Sequence, residues 1–247
     1  MIKLSVTIIT LNEEENLANA LQSVKDLADE VILVDSGSTD KTLEIAKGFG
    51  AKIFYRKFDN FANQKNYALE KVAGEWVLSL DADEVITPEL AEEIKHVMQK
   101  EEYDGFSIPR RNFILGAEIK HSRWAPDKHI WLFKKDLGKW EGDVHEEIVV
   151  EGKVGELEEG KVHYQDKTIS EFVSSNKKYA KIYAQKLVSE GKDFSPIRFI
   201  WDPLLEFGIR YIYKKGFLDG WRGLVLAILM AFYKIDIWRN VFILNRK

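Results

Sequence analysis

An α/β protein with a largely parallel sheet is what this sequence predicts, on three observations. Strand and helix signals alternate through the first hundred residues, the pattern of a parallel sheet with crossover helices. The candidate strands are short, apolar, and run into acids or turn-forming residues. Beyond residue 105 the alternation lapses, and helical character returns only from Ile169.

Leu4 to Leu11 is rich in Val, Ile and Thr and reads as a buried strand. Asn12 is expected to cap a helix whose first turn holds Glu13, Glu14 and Glu15, favourable against the helix dipole. Val31 to Val34 is the second apolar run and stops at Asp35. Ser36 to Asp40 turns the chain, Thr39 or Asp40 caps a helix to about Lys47, and Gly48 and Gly50 end it. Lys52 to Tyr55 is the third strand and Phe61 to Lys71 the next helix. Trp76 to Leu80 is the fourth strand and leads straight into Asp81-Ala82-Asp83. Pro88 then opens a helix to about Lys100. Residues 105 to 165 mix short apolar runs with Gly, Pro, Trp and His, a composition suited to a site. Gly191 to Pro196 reads as a linker before an aromatic, basic end.

The 247 residues suit one α/β domain with an appended piece. A hydrophobic fraction of 45% and an aromatic fraction of 12% support a packed core and argue against disorder. The net charge of −4 gives no reason to expect nucleic-acid binding. With no cysteine, disulfides and thiolate metal sites are excluded. No signal-peptide pattern follows Met1, and no run reaches the roughly 18 to 20 apolar residues of a spanning helix. The expected location is therefore cytoplasmic, or peripheral on the inner face of the cytoplasmic membrane.

Ligands of an open α/β sheet bind outside the carboxyl ends of the strands. Asp35, Asp81 and Asp83 all fall at such ends, so three acids are expected on one rim. A hard cation or hydrogen-bond donors would relieve their repulsion, and magnesium or manganese suits oxygen ligands shared with phosphates. Plainer roles compete: Asp81-Ala82-Asp83 as a cap before Pro88, Asp35 as a turn former, Glu13 as a first-turn acid.

Val6 to Glu14, Val34 to Asp40, Gln64-Lys65-Asn66 and Leu78 to Glu84, in that order, resemble family 2 glycosyltransferases. The resemblance implies the GT-A nucleotide-diphospho-sugar transferase fold, a mostly parallel sheet flanked by helices with a C-terminal helical extension. It divides the chain into a nucleotide-sugar-binding part (1–104), an acceptor and catalytic part (105–168) and that extension (169–247). It implies that Asp35 holds the nucleobase, with Thr10 and Leu11 lining the pocket and Glu13 beside it. Lys65 would lie near the base or the diphosphate, Asp81 and Ala82 near the ribose and metal, and Asp83 on the metal. Arg110 would help hold the donor.

Pro109 to Asn112, Trp124-Ala125-Pro126-Asp127, Leu132-Phe133, Val144-His145-Glu146, His163-Tyr164 and Gly216 to Gly220 further resemble the lipopolysaccharide-core glucosyltransferase subgroup. One position departs: Trp131 stands where that subgroup usually has arginine. The resemblance implies a hexose such as glucose moved with inversion, from a UDP-sugar in preference, to a saccharide or lipid-linked saccharide. Glu146 matches the base, with Glu147 as understudy, and His163 matches a late histidine of the metal shell. His145 would orient its neighbour, and a loop from Arg123 to Lys128, including Trp124 and Asp127, would close over the donor. Solvated acids and a structural histidine are the alternatives.

From Arg198 to Lys247 there are nine Lys or Arg and four Asp or Glu, a balance of +5, among many aromatics. That suits an anionic membrane surface, with core packing or a dimer contact as alternatives. Two rival functions stand beside the transferase: a nucleotidyltransferase, and a non-catalytic nucleotide-sugar-binding membrane partner.

Overall fold

Strand β1 (Leu4–Thr10) is buried at six of its seven positions. Successive side chains of a strand point to opposite faces, so β1 is covered on both sides. Strands β2 (Glu30–Asp35), β3 (Lys52–Tyr55) and β4 (Trp76–Ser79) align with it in parallel. The crossovers are α1 (Leu17–Val24), α2 (Thr42–Gly48) and α3 (Phe61–Lys71). Leu17, Ala20, Leu21 and Val24 of α1 are buried at i, i+3, i+4 and i+7, one apolar stripe on the sheet. Helix α3 starts where Asn60 Oδ1 accepts the Asn63 N–H at 2.7 Å. A short β5 (Glu84–Val85) leads to α4 (Pro88–Val97), where Thr87 caps and Pro88 takes the first position. The computed structural model describes residues 3–100, 102–142, 146–165 and 168–246.

One expected cap is corrected. Helix α1 begins at Leu17, and Asn12 has a left-handed φ of 58°. Asn12 Oδ1 instead accepts the Thr39 N–H at 2.8 Å, and its own N–H donates to Ser38 Oγ at 2.9 Å. Asparagine tolerates this conformation because its short amide bonds locally. The loops after β1 and β2 are thereby stitched together.

Beyond β4 the sheet turns antiparallel through β6 (Gly105–Ile114), β8 (Lys128–Lys134) and β12 (Lys161–Tyr164). The order is β3-β2-β1-β4-β8-β6-β12-β5, with the small strands β7 (Ala117–Glu118) and β11 (Val154–Glu156) on β6. Strands β9 (Gly138–Glu141) and β10 (Glu147–Val150) form a separate hairpin. The α/β architecture expected from the sequence is the one adopted, its sheet parallel over the first four strands and mixed thereafter.

The chain forms two compact units, Met1–Arg111 with Asp127–His163, and Asn112–Pro126 with Tyr164–Lys247. The second holds the helices α5 (Ile169–Ser189), α6 (Pro196–Phe207) and α7 (Gly220–Leu244) together with residues 112–126, which are expected from the sequence in the acceptor part. Its contacts are partly polar: Trp238 Nε1 donates to Asp202 at 2.8 Å, and Glu206 accepts from Arg210 Nε at 2.5 Å. Asp219 accepts the backbone N–H groups of Lys120 and His121, both at 3.1 Å, which gives the Gly216 to Gly220 motif a structural task.

Glu30 ties the first unit together. Its carboxylate accepts from Ser5 Oγ at 2.5 Å, Lys52 Nζ at 2.6 Å and the Ala73 N–H at 2.7 Å. Burial opposes the charge, but those three donors outweigh it and hold the carboxyl below its ordinary value of 4.5. A carboxyl depressed on folding stabilises the fold above its unfolded pKa and loses that contribution as pH falls through the folded value. Melting temperature should therefore decline on acidification below about pH 4.5 more steeply in the wild type than in Glu30→Gln, which a thermal-melt series across pH checks.

Candidate active site

The parallel strands end on one rim. Thr10, Asp35 and Tyr55 are neighbours at the ends of β1, β2 and β3. Beyond β4 the Leu80 N–H bonds Thr7 O and the chain passes into Asp81. Asp35 is engaged by its own loop, accepting from Gly37 N–H at 2.8 Å, Ser38 N–H at 3.0 Å and Ser38 Oγ at 2.5 Å. The turn-forming role is thus present, with Tyr55 two-thirds exposed beside Gly37. Thr10 Oγ1 is buried without a hydrogen-bond partner, and Leu11 is exposed. Burial raises the Glu13 carboxyl above its ordinary value, and the charges of Asp83, Asp40 and Asp81 add to the rise against a hydrogen bond from Asn16. Glu13 therefore shares the field of the Asp81-Ala82-Asp83 turn, with Ala82 buried between the two acids.

Three consecutive residues of α3 reach three different parts of this site. Gln64 Nε2 donates to Ser36 Oγ at 2.9 Å in the loop after β2. Lys65 Nζ lies 2.9 Å from Glu146 Oε1 and 3.7 Å from Asp81 Oδ1, with the Trp140 ring centroid 4.4 Å away. Asn66 clasps the backbone of Trp140, donating to its oxygen at 2.9 Å and accepting its N–H at 3.0 Å. Burial works against the Lys65 ammonium, yet Asp81 and Glu146 overcome it and raise its pKa.

Behind them sits a hub that the sequence did not reveal. Glu84 is fully buried, and its Oε2 accepts the Asp81 N–H at 2.9 Å and Lys161 Nζ at 2.5 Å. Arg110 lies 3.8 Å from its Oε1 and pairs with Asp127 through Nε at 2.8 Å and NH2 at 2.7 Å. Burial pushes the Lys161 ammonium downward, against the pull of Glu84 and Asp81. Burial also opposes the Asp81 charge, but Lys65, Lys161, His163 and Arg110 bring its carboxyl below the ordinary value. Much of the repulsion among the clustered acids is therefore relieved by the protein's own cations. Lys161 Nζ also stands 3.3 Å from the Trp131 ring centroid, an attractive contact with the π face. An arginine at 131 would face that lysine and Lys65, which explains why an aromatic suits this chain.

The two residues that the resemblance assigns to a metal lie side by side. His163 of β12 pairs with Glu84 of β5, and its Nε2 lies 3.1 Å from Asp83 Oδ2. Two donors bound side by side at about 2.1 Å from one octahedral cation are about 3 Å apart, so the pair fits a shared ion. No set of three His, Asp or Glu suited to a metal occurs among the described residues. Phosphate oxygens and water would complete such a shell, as they commonly do for magnesium.

A cavity of about 550 Å³ opens between these groups, lined among others by Asp81, Arg110, Trp131, Trp140, Glu146 and Glu147. Asp127 anchors Arg110 and also bonds His129 at 3.0 Å. Trp124 belongs to the second unit, where its ring lies 4.3 Å from the Arg210 guanidinium and edge-on to Phe172. His145 lies outside the described residues. The signal for Lys161 was its place two residues before His163 on one strand, which puts both on one face.

The sequence pattern described as Glycosyl transferase family 2 matches residues 5–149. An uncharacterized glycosyltransferase of Rickettsia typhi is 32% identical over 245 residues, 94% of this chain and 84% of that one. A lipopolysaccharide core biosynthesis glycosyltransferase, LpsC of Rhizobium meliloti, is 29% identical over 245 residues, 92% of this chain and 90% of its own. Among solved structures, S. aureus TarS 1–349 superposes with a TM-score of 0.48 at 18% identity, covering 97% of this chain and 89% of that one.

Proposed function

This chain belongs to glycosyl transferase family 2 and is a glycosyltransferase, and we propose that it moves a hexose from a UDP-sugar to a saccharide of the cell envelope. The observation that carries this reading is the single cavity on which Asp81 and Glu146 both open, with Lys65 bridging them. A nucleoside diphosphate needs cationic and metal-ligating groups, and an acceptor hydroxyl needs a base. Arg110, Lys128 and Asp81 lie on the walls of that space with Glu146, and Asp83 follows Asp81 by two positions in the same turn.

Residues 1–104 supply the donor part in this reading. Thr10, Leu11, Glu13 and Asp35 border the nucleobase, Asp81 and Ala82 the ribose and metal, and Lys65 and Arg110 the diphosphate. Asp83 and His163 would hold a divalent cation, Mg2+ or Mn2+, whose charge stabilises the departing diphosphate. Residues 105–168 receive the acceptor. Glu146 takes the proton of the attacking hydroxyl as its oxygen bonds to the anomeric carbon and the carbon–oxygen bond to the diphosphate breaks, inverting that centre. Lys65 holds the Glu146 carboxylate on the cavity wall. The likeness to LpsC supports a lipopolysaccharide-type or other lipid-linked saccharide acceptor. The site of work is then the inner face of the cytoplasmic membrane, and no helix among the described residues is long and apolar enough to cross it.

A panel of nucleotide sugars, assayed for metal-dependent diphosphate release, tests this. One donor should be consumed, and Asp83→Ala should slow release by about 10² to 10³. Calorimetric binding of a donor that no metal or envelope acceptor causes to turn over would point to a non-catalytic binding protein instead.

A further inference from the structure

Helix α6 is amphipathic the wrong way round. A helix of a soluble protein turns its apolar stripe toward the core and its charges toward water. In α6 the residues at i, i+3, i+4, i+7 and i+8 face outward: Ile197 (71% exposed), Ile200 (60%), Trp201 (57%), Leu204 (59%) and Leu205 (55%). The inward face carries the acids, with Asp202 bonded to Trp238 and Glu206 buried against Arg210. The outward apolar character continues past the helix in Ile212 and Tyr213, then in Phe217, Leu218 and Trp221.

We propose that this face is a membrane-docking surface, with α6 lying in the headgroup–acyl boundary of an anionic bilayer and Trp201, Leu204 and Leu205 inserted. Charge identifies the occupant. Between residues 196 and 246 the exposed charged side chains are Arg198, Lys214, Lys215, Arg239 and Arg246, all basic. The four acids of that stretch, Asp202, Glu206, Asp219 and Asp236, are buried or half-buried. Lys214 and Lys215 directly follow the exposed Ile212 and Tyr213, so apolar and cationic groups adjoin as they do in interfacial segments. Asp193, just before the helix, is the nearest exposed acid in sequence, and an apolar face whose own segment exposes only basic side chains suits an anionic surface better than a second copy of itself. The proposal rests on the reading that the enzyme works at a membrane surface, and it names the face that does the docking.

The test uses the full chain with vesicles of phosphatidylcholine, alone and mixed with phosphatidylglycerol, read by co-sedimentation and tryptophan emission. The expected result is binding to the mixed vesicles with a blue shift, weakened by salt. Trp201→Ser with Leu205→Ser should lower partitioning by about tenfold or more, and removing the charge of Lys214 or Lys215 by about fivefold each. Far-UV circular dichroism should not change, because these side chains are exposed. Diphosphate release in solution should also persist in the variants, which separates a failure of docking from a failure of catalysis. Wild type that stays in the supernatant with both vesicle types overturns the proposal. So does binding that ignores phosphatidylglycerol, or a solution dimer that the Trp201 and Leu205 variants dissolve.

Discussion

Replacing Glu146 by glutamine is expected to lower the turnover number by about 10² to 10⁴ while leaving donor affinity nearly unchanged. Glutamine keeps the shape of the side chain and an oxygen for Lys65 Nζ, now 2.9 Å away, so the cavity wall should persist. It cannot take a proton at neutral pH. The interaction removed is one made while the acceptor hydroxyl is losing its proton, so the loss falls on the chemical step. Single-turnover transfer with saturating donor, together with calorimetry on the bare nucleotide, reads the two quantities separately. Unchanged transfer would move the base elsewhere, and Glu147 is the nearest candidate because it lines the same cavity.

The second large effect concerns stability. Glu84→Leu removes the partner of a lysine whose side chain has no exposure at all. A buried charge left without its partner costs about 3 to 5 kcal/mol, so the variant should melt far below the wild type. Lys161→Met alone should also destabilise, since it strands a buried carboxylate. Combining the two replaces the ion pair by apolar groups of similar size, which is often neutral or better. The double variant should therefore recover much of the lost stability in a denaturant-unfolding cycle. Its turnover should stay low, because the Asp81 N–H has lost the acceptor that positions it. If the double variant is as unstable as the sum of the singles, the pair is not the unit described.

The parallel half of the sheet was legible because each strand there is a short apolar run closed by a turn signal. The ends expected at Leu11, Asp35 and Leu80 fall at Thr10, Asp35 and Ser79, each within one residue. The antiparallel half was not. Strand β6 contains Pro109, Arg110 and Arg111, and β8 mixes Lys128 and His129 with its apolar residues, so no period of two stands out. The acids Asp81, Asp83 and Glu146 were visible as motif residues, but their supports were not. Lys161 is separated from Glu84 by 77 positions, and its one local hint, the place two residues before His163, does not tell a buried lysine from a solvated one. The cap expected at Asn12 missed for a related reason. Its amide has a partner in another loop, and a long-range bond outcompeted the local one.

The clasp between Asn66 and Trp140 has a consequence for anyone redesigning this enzyme. The hairpin of β9 and β10 is a ribbon of two strands, too small to hold its own shape in water. Asn66 pins it to α3, the same helix that holds the loop after β2 through Gln64. In the function proposed above, donor side and acceptor side thus share one mechanical reference. A graft that exchanges the hairpin to admit a different acceptor should keep the backbone of residue 140 and the amide of residue 66 as a matched joint. Cutting between them would separate the new acceptor pocket from the frame against which the donor is aligned.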